Sequence, residues 1–358
     1  MKIVIKVGTQ SILEVDGKPI DSVLNSIVSQ ISSLLKANHH VILVSSGAVG
    51  SGRKVAESFL QKQAGLSVGE KQLLASIGQP ELMNIYSSLF KSQRILVSQL
   101  LLTKQDFQTR QHYLNIARLL AELLKHQNII PIINENDSVA IEELMFTDND
   151  ELAGLIAAQI DADHLIILTN VDGVFTGDPK EPSAKLIKQI NPAQSWPTVS
   201  TAKSTLGRGG MFSKLNIARK MSSLGIATTI ANINTDSVIT KIIDNGNIGT
   251  TILANRKTSN IKRWIALHNT KQLPSITIND PLFSLIKENK QILSILPIGI
   301  VSYLGEWKKG DLIDILNLRK EKIGIGLARY DVKRLEEYLG QKNKPAFIHY
   351  DQLQIMPW

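Results

Sequence analysis

MKIVIKVGTQ, residues 1–10, strings Ile3, Val4, Ile5 and Val7 around a single lysine, Lys6, and turns at once at Gly8. A β-branched run of this kind predicts a strand covered on both faces. A lysine is seldom buried unless something pairs its charge. The strand therefore predicts a negative partner waiting at its carboxyl end.

Working outward, similar runs recur at 41–46 (VILVSS), 129–133 (IIPII), 165–169 (LIILT) and 226–231 (IATTIA). Helical patterns lie between them. In 21–37, Val23, Leu24, Ile27, Val28, Ile31, Leu34 and Leu35 mark one face, and in 112–126 Leu114, Ala117, Leu120, Leu123 and Leu124 do the same. A third helical segment is expected at 212–224. Apolar strands alternating with helices predict an α/β fold, a mostly parallel open sheet sandwiched by helices. Ligands in such sheets gather beyond the carboxyl ends of the strands, and Lys6 is near such an end.

The 358 residues exceed what one core usually supports, and the character of the chain changes near residue 256. RKTSNIKRW is basic and polar, and Pro274 follows a loop-like HNTKQL. Short strands are then expected at 275–278, 299–304, 311–316, 323–328 and 346–350, with a helix near 331–339. The expected division is a first domain over 1–255, a linker over 256–273 and a small β-rich domain over 274–358. The net charge is +8, of which the tail from 275 carries only +2. That disfavours the basic, aromatic face of an RNA-binding module.

The chain has no cysteine, which excludes a disulfide framework, a thiol nucleophile or a zinc–cysteine site and suits a reducing, cytoplasmic setting. Lys6 interrupts the only apolar stretch at the N-terminus, so no signal peptide is read there. No apolar run reaches the roughly 20 residues needed to span a membrane.

Four strand-end loops carry candidate chemistry. VGTQ follows the first strand. SSGAVGSG (45–52) has Gly47 and Gly52 at phosphate-loop spacing, but Arg53 and Lys54 stand where that motif needs Lys and Ser/Thr, so a P-loop is rejected. Exposed backbone N–H groups of such a turn can still cradle an anion. INENDSV (133–139) clusters Asn134, Asn136 and Asp137, and reads equally as a turn or as an amino-acid site. FTDNDELAGLIAAQI follows, where Thr147 and Asp150 fit a capping pattern before an apolar helix, leaving Asp148 and Asn149 less fully explained. LGRGGMFSK (206–214) puts Gly207, Gly209 and Gly210 ahead of a helix whose dipole favours an anion. Lys214 in that first turn suits a bound anion, and Lys6 shares its sheet edge.

In order along the chain, IKVGT, VSSGAV, KQLLASIGQ, PIINENDSV, DNDELA, LTNVDGVFTGDP and GGMFSK resemble the motifs of the glutamate 5-kinase family, an amino-acid-kinase domain followed by a PUA domain. SILPIGIVSYLGEWKKGDLIDI and FIHYDQL are similar to PUA strands. The resemblance covers essentially the whole chain. It implies transfer of the γ-phosphate of ATP, with Mg2+ held mainly through the nucleotide phosphates, to the side-chain carboxylate of L-glutamate, the first step of proline biosynthesis. It assigns Lys6 and Lys214 to the transferring phosphoryl group and Asp150 to positioning them. Ser46, Gly47, Asn134, Asp137 and Asn149 match glutamate-binding positions. Lys6, Thr169, Asn170, Arg208, Gly209, Gly210, Met211, Phe212, Ser213 and Lys214 match the ATP site, and no protein-held metal site is implied. Asn170 departs from the aspartate common at its position, and Arg208 replaces the threonine of the GTGG form; both bear on nucleotide preference. A homo-oligomer and functional coupling to glutamyl phosphate reductase are also implied, with no membrane association. Acetylglutamate kinase, aspartokinase and uridylate kinase share the strands and lysines, and an RNA-binding PUA protein is the reading from a different class. The INEND segment and the PUA-like tail favour glutamate 5-kinase.

Overall fold

The computed structural model describes residues 1–60, 67–108, 110–140, 146, 148–179, 181–192, 196–197, 210–255, 273–288 and 293–355. The expected linker thus lies almost wholly outside the described residues. So do Thr147, Arg208 and Gly209.

The described elements of the first part begin β1 (Lys2–Val7), α1 (Thr9–Ile12), α2 (Asp21–Lys36), β2 (His40–Ser45), α3 (Ala48–Leu60), α4 (Val68–Ser92) and β3 (Leu96–Leu102). They continue α5 (Lys104–Gln108), α6 (Arg110–Leu123), β4 (Ile129–Glu135), α7 (Asn149–Gln159), β5 (His164–Thr169), β6 (Gln189–Ile190), α8 (Met211–Ser223), β7 (Ala227–Asn232), α9 (Val238–Ile243) and β8 (Thr250–Ile252). The strands form one eight-stranded sheet in the order β3-β4-β2-β1-β5-β7-β8-β6. Pairing is parallel except between β7 and β8. The expected α/β sandwich is what the chain forms.

β1 lies at the centre, with Lys6 opposite Val44 of β2 and Ile167 of β5. Ile3, Ile5 and Val7 pack with α2, α4 and α9 residues in one continuous core that includes Leu24, Ile31, Tyr86, Phe90 and Ile239. Side chains alternate across a strand, so Lys6 faces the opposite layer. That layer is made by α7, which lies against β1, β2, β4 and β5, and by α8, which packs on α7. Gly154 in α7 permits the approach, because a Cβ there would stand 2.9 Å from Ile217 of α8.

Several sequence expectations are corrected. β4 runs two residues further than IIPII, so Asn134 and Glu135 are strand residues paired with Leu101 and Leu102 of β3. β3 itself was not anticipated, since Ser98 and Gln99 break its apolar pattern. The glycine-rich 48–52 opens a helix, α3, and Gly52 is a packing residue: a Cβ on it would lie 1.8 Å from the Leu74 carbonyl of α4.

The second part holds its own sheet. β9 (Ser275–Ile278), α10 (Asp280–Lys287), β10 (Ile300–Leu304), β11 (Leu312–Leu316), β12 (Lys322–Leu327), α11 (Val332–Tyr338) and β13 (Leu353–Ile355) follow in turn. The strand order is β10-β9-β11-β12-β13. Its core includes Ile276, Ile313, Ile323, Leu335 and Phe347, and the chain divides into two compact units along these two sheets. The strand expected at 346–350 is only an isolated bridge between Ile295 and Ile348. A 3-10 turn begins at Pro297 and stops the pairing segment, since proline has no N–H to donate. The true last strand is β13.

The α3–α4 contact gives a test of packing. A Cβ on Gly78 would stand 1.9 Å from the Ala48 carbonyl, whereas one on Gly69, in the same helix, meets nothing within 4 Å. Gly78→Ala should lower the melting temperature by about 5 °C or more, from overpacking worth ~1–3 kcal/mol. Gly69→Ala should leave it unchanged or raise it slightly, since alanine is the better helix former. Equal melting of Gly78→Ala and the parent chain would contradict this helix contact.

Candidate active site

At the carboxyl end of β1, Lys6 is 6% exposed and its Nζ lies 2.7 Å from Asp150 Oδ1. Lys214, in the first turn of α8, reaches Asp150 Oδ2 at 2.8 Å. The negative partner that the first strand required is therefore Asp150, in the first turn of α7 and fully buried. Burial alone would push its carboxyl up. The ammonium groups of Lys6 and Lys214 outweigh that and hold it below the ordinary carboxylate range.

Asp148 is the residue that joins the two helices. Its side chain caps α7 by accepting from the backbone N–H groups of Asp150 (3.0 Å) and Glu151 (3.1 Å). Its other oxygen accepts from the Ser213 hydroxyl of α8 at 2.5 Å. Asp148, rather than Thr147, thus holds the capping position, because the helix begins one residue later than the sequence pattern suggested. Burial and the neighbouring Asp150 charge raise its carboxyl above the ordinary range. Two helix N-termini consequently meet at one point, where their dipoles favour negative charge.

Beside this point lies a cluster of amides. Asn149 Nδ2 donates to Ser46 Oγ (2.6 Å) and to Asn134 Oδ1 (3.0 Å). Asn134 Oδ1 also accepts from the backbone N–H of Glu135, and Asn134 Nδ2 donates to Gln79 Oε1 at 2.9 Å. Gly47 follows Ser46 with φ +121, a left-handed conformation that favours glycine. Ser46, Asn134 and Asn149, separated by up to 103 positions, are thereby brought together. Asp137 lies half-buried in the turn Asn136–Val139 beyond β4.

On the other side of β1, Thr169 ends β5, and Asn170 ties that end to the short helix α1 that follows β1. Its Oδ1 accepts from the Ser11 hydroxyl (2.9 Å), and its Nδ2 donates to the Gln10 carbonyl (3.1 Å). An aspartate could not make the second bond, which gives the departure at this position a structural reason. Gly210 is the N-cap of α8, and Met211, Phe212 and Ser213 fill its first turn, with Phe212 exposed. Gln79 is the buried member of the cluster that sequence reasoning missed. It closes the motif KQLLASIGQ, but nothing in its spacing pointed to Asn134.

The family model for amino acid kinases matches residues 1–232, and that for the PUA domain matches residues 274–345. Glutamate 5-kinase of Chlorobaculum tepidum is 41% identical over 99% of this chain and 98% of its own length. Glutamate 5-kinases of Bacteroides thetaiotaomicron (38%) and Thermoanaerobacter sp. (36%) align over the same shares, 99% and 98%. With two lysines on one buried aspartate and likeness along its whole length, the chain belongs to the amino acid kinase family and, within it, to the glutamate 5-kinases that carry a PUA domain.

Proposed function

We infer that this chain transfers the γ-phosphoryl group of ATP to the side-chain carboxylate of L-glutamate, giving γ-glutamyl phosphate and ADP, the first step of proline synthesis. The observation that carries the reading is the bridging of Lys6 and Lys214 by Asp150 beside an amide-lined cluster. A glutamate side chain, with a reference pKa of about 4.3, is ionised at neutral pH. It attacks phosphorus without a general base. What the reaction needs is offset of the repulsion between two anions and stabilisation of charge spreading over the phosphoryl oxygens.

Two ammonium groups held side by side where two helix N-termini meet suit a phosphoryl group. Lys6 and Lys214 contact the transferring group, and Asp150 fixes their separation. Ser46, Gly47, Asn134, Asp137 and Asn149 hold glutamate. Thr169, Asn170 and the segment 208–214 hold the nucleotide. Magnesium would be carried mainly by the nucleotide phosphates and neutralise their charge. Among the described residues no group of three or more His, Asp and Glu forms a cage for it. Every residue invoked lies in 1–255, so the reaction is assigned to that domain, with 256–273 as linker and 274–358 as the PUA-like unit.

The same reading includes a homo-oligomer, a cytoplasmic setting and hand-over to glutamyl phosphate reductase, since an acyl phosphate is prone to hydrolysis. The cysteine-free composition supports the cytoplasm. Among the described residues no helix is long and apolar enough to cross a membrane.

Hydroxylamine trapping tests the substrate. ATP- and magnesium-dependent hydroxamate should form with glutamate, and equal or better rates with aspartate or acetylglutamate would refute the assignment. A second check concerns the lysines. Lys6→Ala and Lys214→Ala should each lower kcat by about 100-fold or more, as expected for groups acting on transition-state charge. Near-normal turnover in either variant, with folding verified by a cooperative melt, would put the phosphate elsewhere.

A further inference from the structure

Gln79 lies outside the positions assigned to either substrate, yet it is only 7% exposed and ends a chain of side-chain amides. The direction of that chain can be deduced from one group. The backbone N–H of Glu135 can only donate, and it donates to Asn134 at 2.9 Å. The receiving atom of Asn134 must therefore be its oxygen, Oδ1. Its nitrogen then points the other way, toward Gln79, and the contacting atom of Gln79 must be an acceptor, Oε1. The same Asn134 oxygen lies 3.0 Å from Asn149, so the atom of Asn149 that meets it is Nδ2, a donor. Ser46 Oγ receives the second proton of that nitrogen. Asn149 Oδ1 is left buried and meets no donor among the described residues.

Each amide is thus held one way round, and the polarity ends in an acceptor oxygen at the substrate cluster. A buried acceptor without a partner is unfavourable, and a ligand N–H is the complementary group. The α-ammonium of an amino acid supplies one. The far end of the chain is Gln79, the acceptor for the Asn134 nitrogen. The backbone sets Gln79 in place: Gly78 lets α4 approach α3 closely enough that a Cβ would clash with the Ala48 carbonyl, and α3 starts directly after Ser46 and Gly47.

We propose that Gln79 is a positioning residue for the amino-acid half of the site: through Asn134 it locks the Asn149 amide with its oxygen available to the substrate ammonium. The proposal rests on glutamate being the phosphoryl acceptor. Without an acceptor at position 79, the Asn134 nitrogen is buried and unpaired. Rotation of Asn134 would relieve that, but it would release Asn149.

The test uses the full chain with Gln79→Met, which keeps side-chain length and replaces the amide oxygen by a thioether, a much weaker acceptor, and Gln79→Glu, which keeps an acceptor oxygen. Hydroxamate formation is measured over ranges of glutamate and of ATP, with thermal melts alongside. Gln79→Met should raise the glutamate KM about tenfold or more while the ATP KM stays within about twofold, the loss of one buried hydrogen bond being confined to one substrate. Gln79→Glu should keep the glutamate KM within about threefold of the parent chain, since the acceptor that holds Asn134 is retained. An unchanged glutamate KM in Gln79→Met would overturn the proposal, as would equal rises in both KM values or equal losses in the two variants. If Gln79→Met lost its cooperative melt, Gln79→Glu alone would decide, a raised glutamate KM overturning the proposal and a retained one supporting it. A parent chain inactive on glutamate would instead refute the substrate reading, so the two failures are separable.

Discussion

Three charges taken out of water together constrain the first unit: Asp150, wholly buried, with the ammonium groups of Lys6 and Lys214 on its two oxygens. Burying an isolated charge is strongly unfavourable, and removing one partner of a buried pair typically costs ~3–5 kcal/mol. The three groups are therefore tolerated only as a set. Each comes from a different element, β1, α7 and α8. Their agreement fixes how the helices of one layer sit over the centre of the sheet.

That agreement follows from elementary geometry. Alternation along β1 sends Ile3, Ile5 and Val7 into the core with α2, α4 and α9, and sends Lys6 to the face covered by α7. Asp148 caps α7 and accepts from Ser213, so the N-termini of α7 and α8 are fastened together. Gly154 lets the same helices touch further along. The result is a point where two helix N-termini and two lysines face one region beyond the carboxyl ends of β1 and β5. Anionic chemistry belongs there on electrostatic grounds alone.

Much of this was legible in the chain itself. Lys6 inside an apolar strand demanded a counter-charge, and the strand–helix alternation indicated the parallel sheet. What stayed hidden depends on contacts between distant segments. The residue pattern by itself does not say which of Asp148, Asn149 and Asp150 meets the lysines, because the start of α7 sets that; the family resemblance assigned Asp150, and Asp150 is the residue both lysines contact. Gln79 sits in a long helix with Pro80 inside it and little amphipathic pattern, so periodicity gave no sign that it turns toward Asn134. Gly52 has phosphate-loop spacing, a reading that Arg53 and Lys54 already exclude, but its packing against α4 stayed hidden because packing and anion-cradling glycines look alike in sequence. β3 lies at the sheet edge with an exposed Leu96 and two polar residues mid-strand, which hides its strand character. The tail reading expects five strands and five are present among the described residues, yet the last was misplaced because buried Phe347 and Ile348 imitate a strand.

The central claim is that the aspartate-bridged lysine pair is a clamp for the phosphoryl group rather than a structural ion cluster. The most direct measurement is a crystal structure of the full chain with glutamate and a non-hydrolysable ATP analogue. Lys6 Nζ and Lys214 Nζ should each lie about 3 Å from terminal phosphate oxygens, with Asp150 still between them. A terminal phosphate bound elsewhere, with both lysines contacting only Asp150, would contradict the claim.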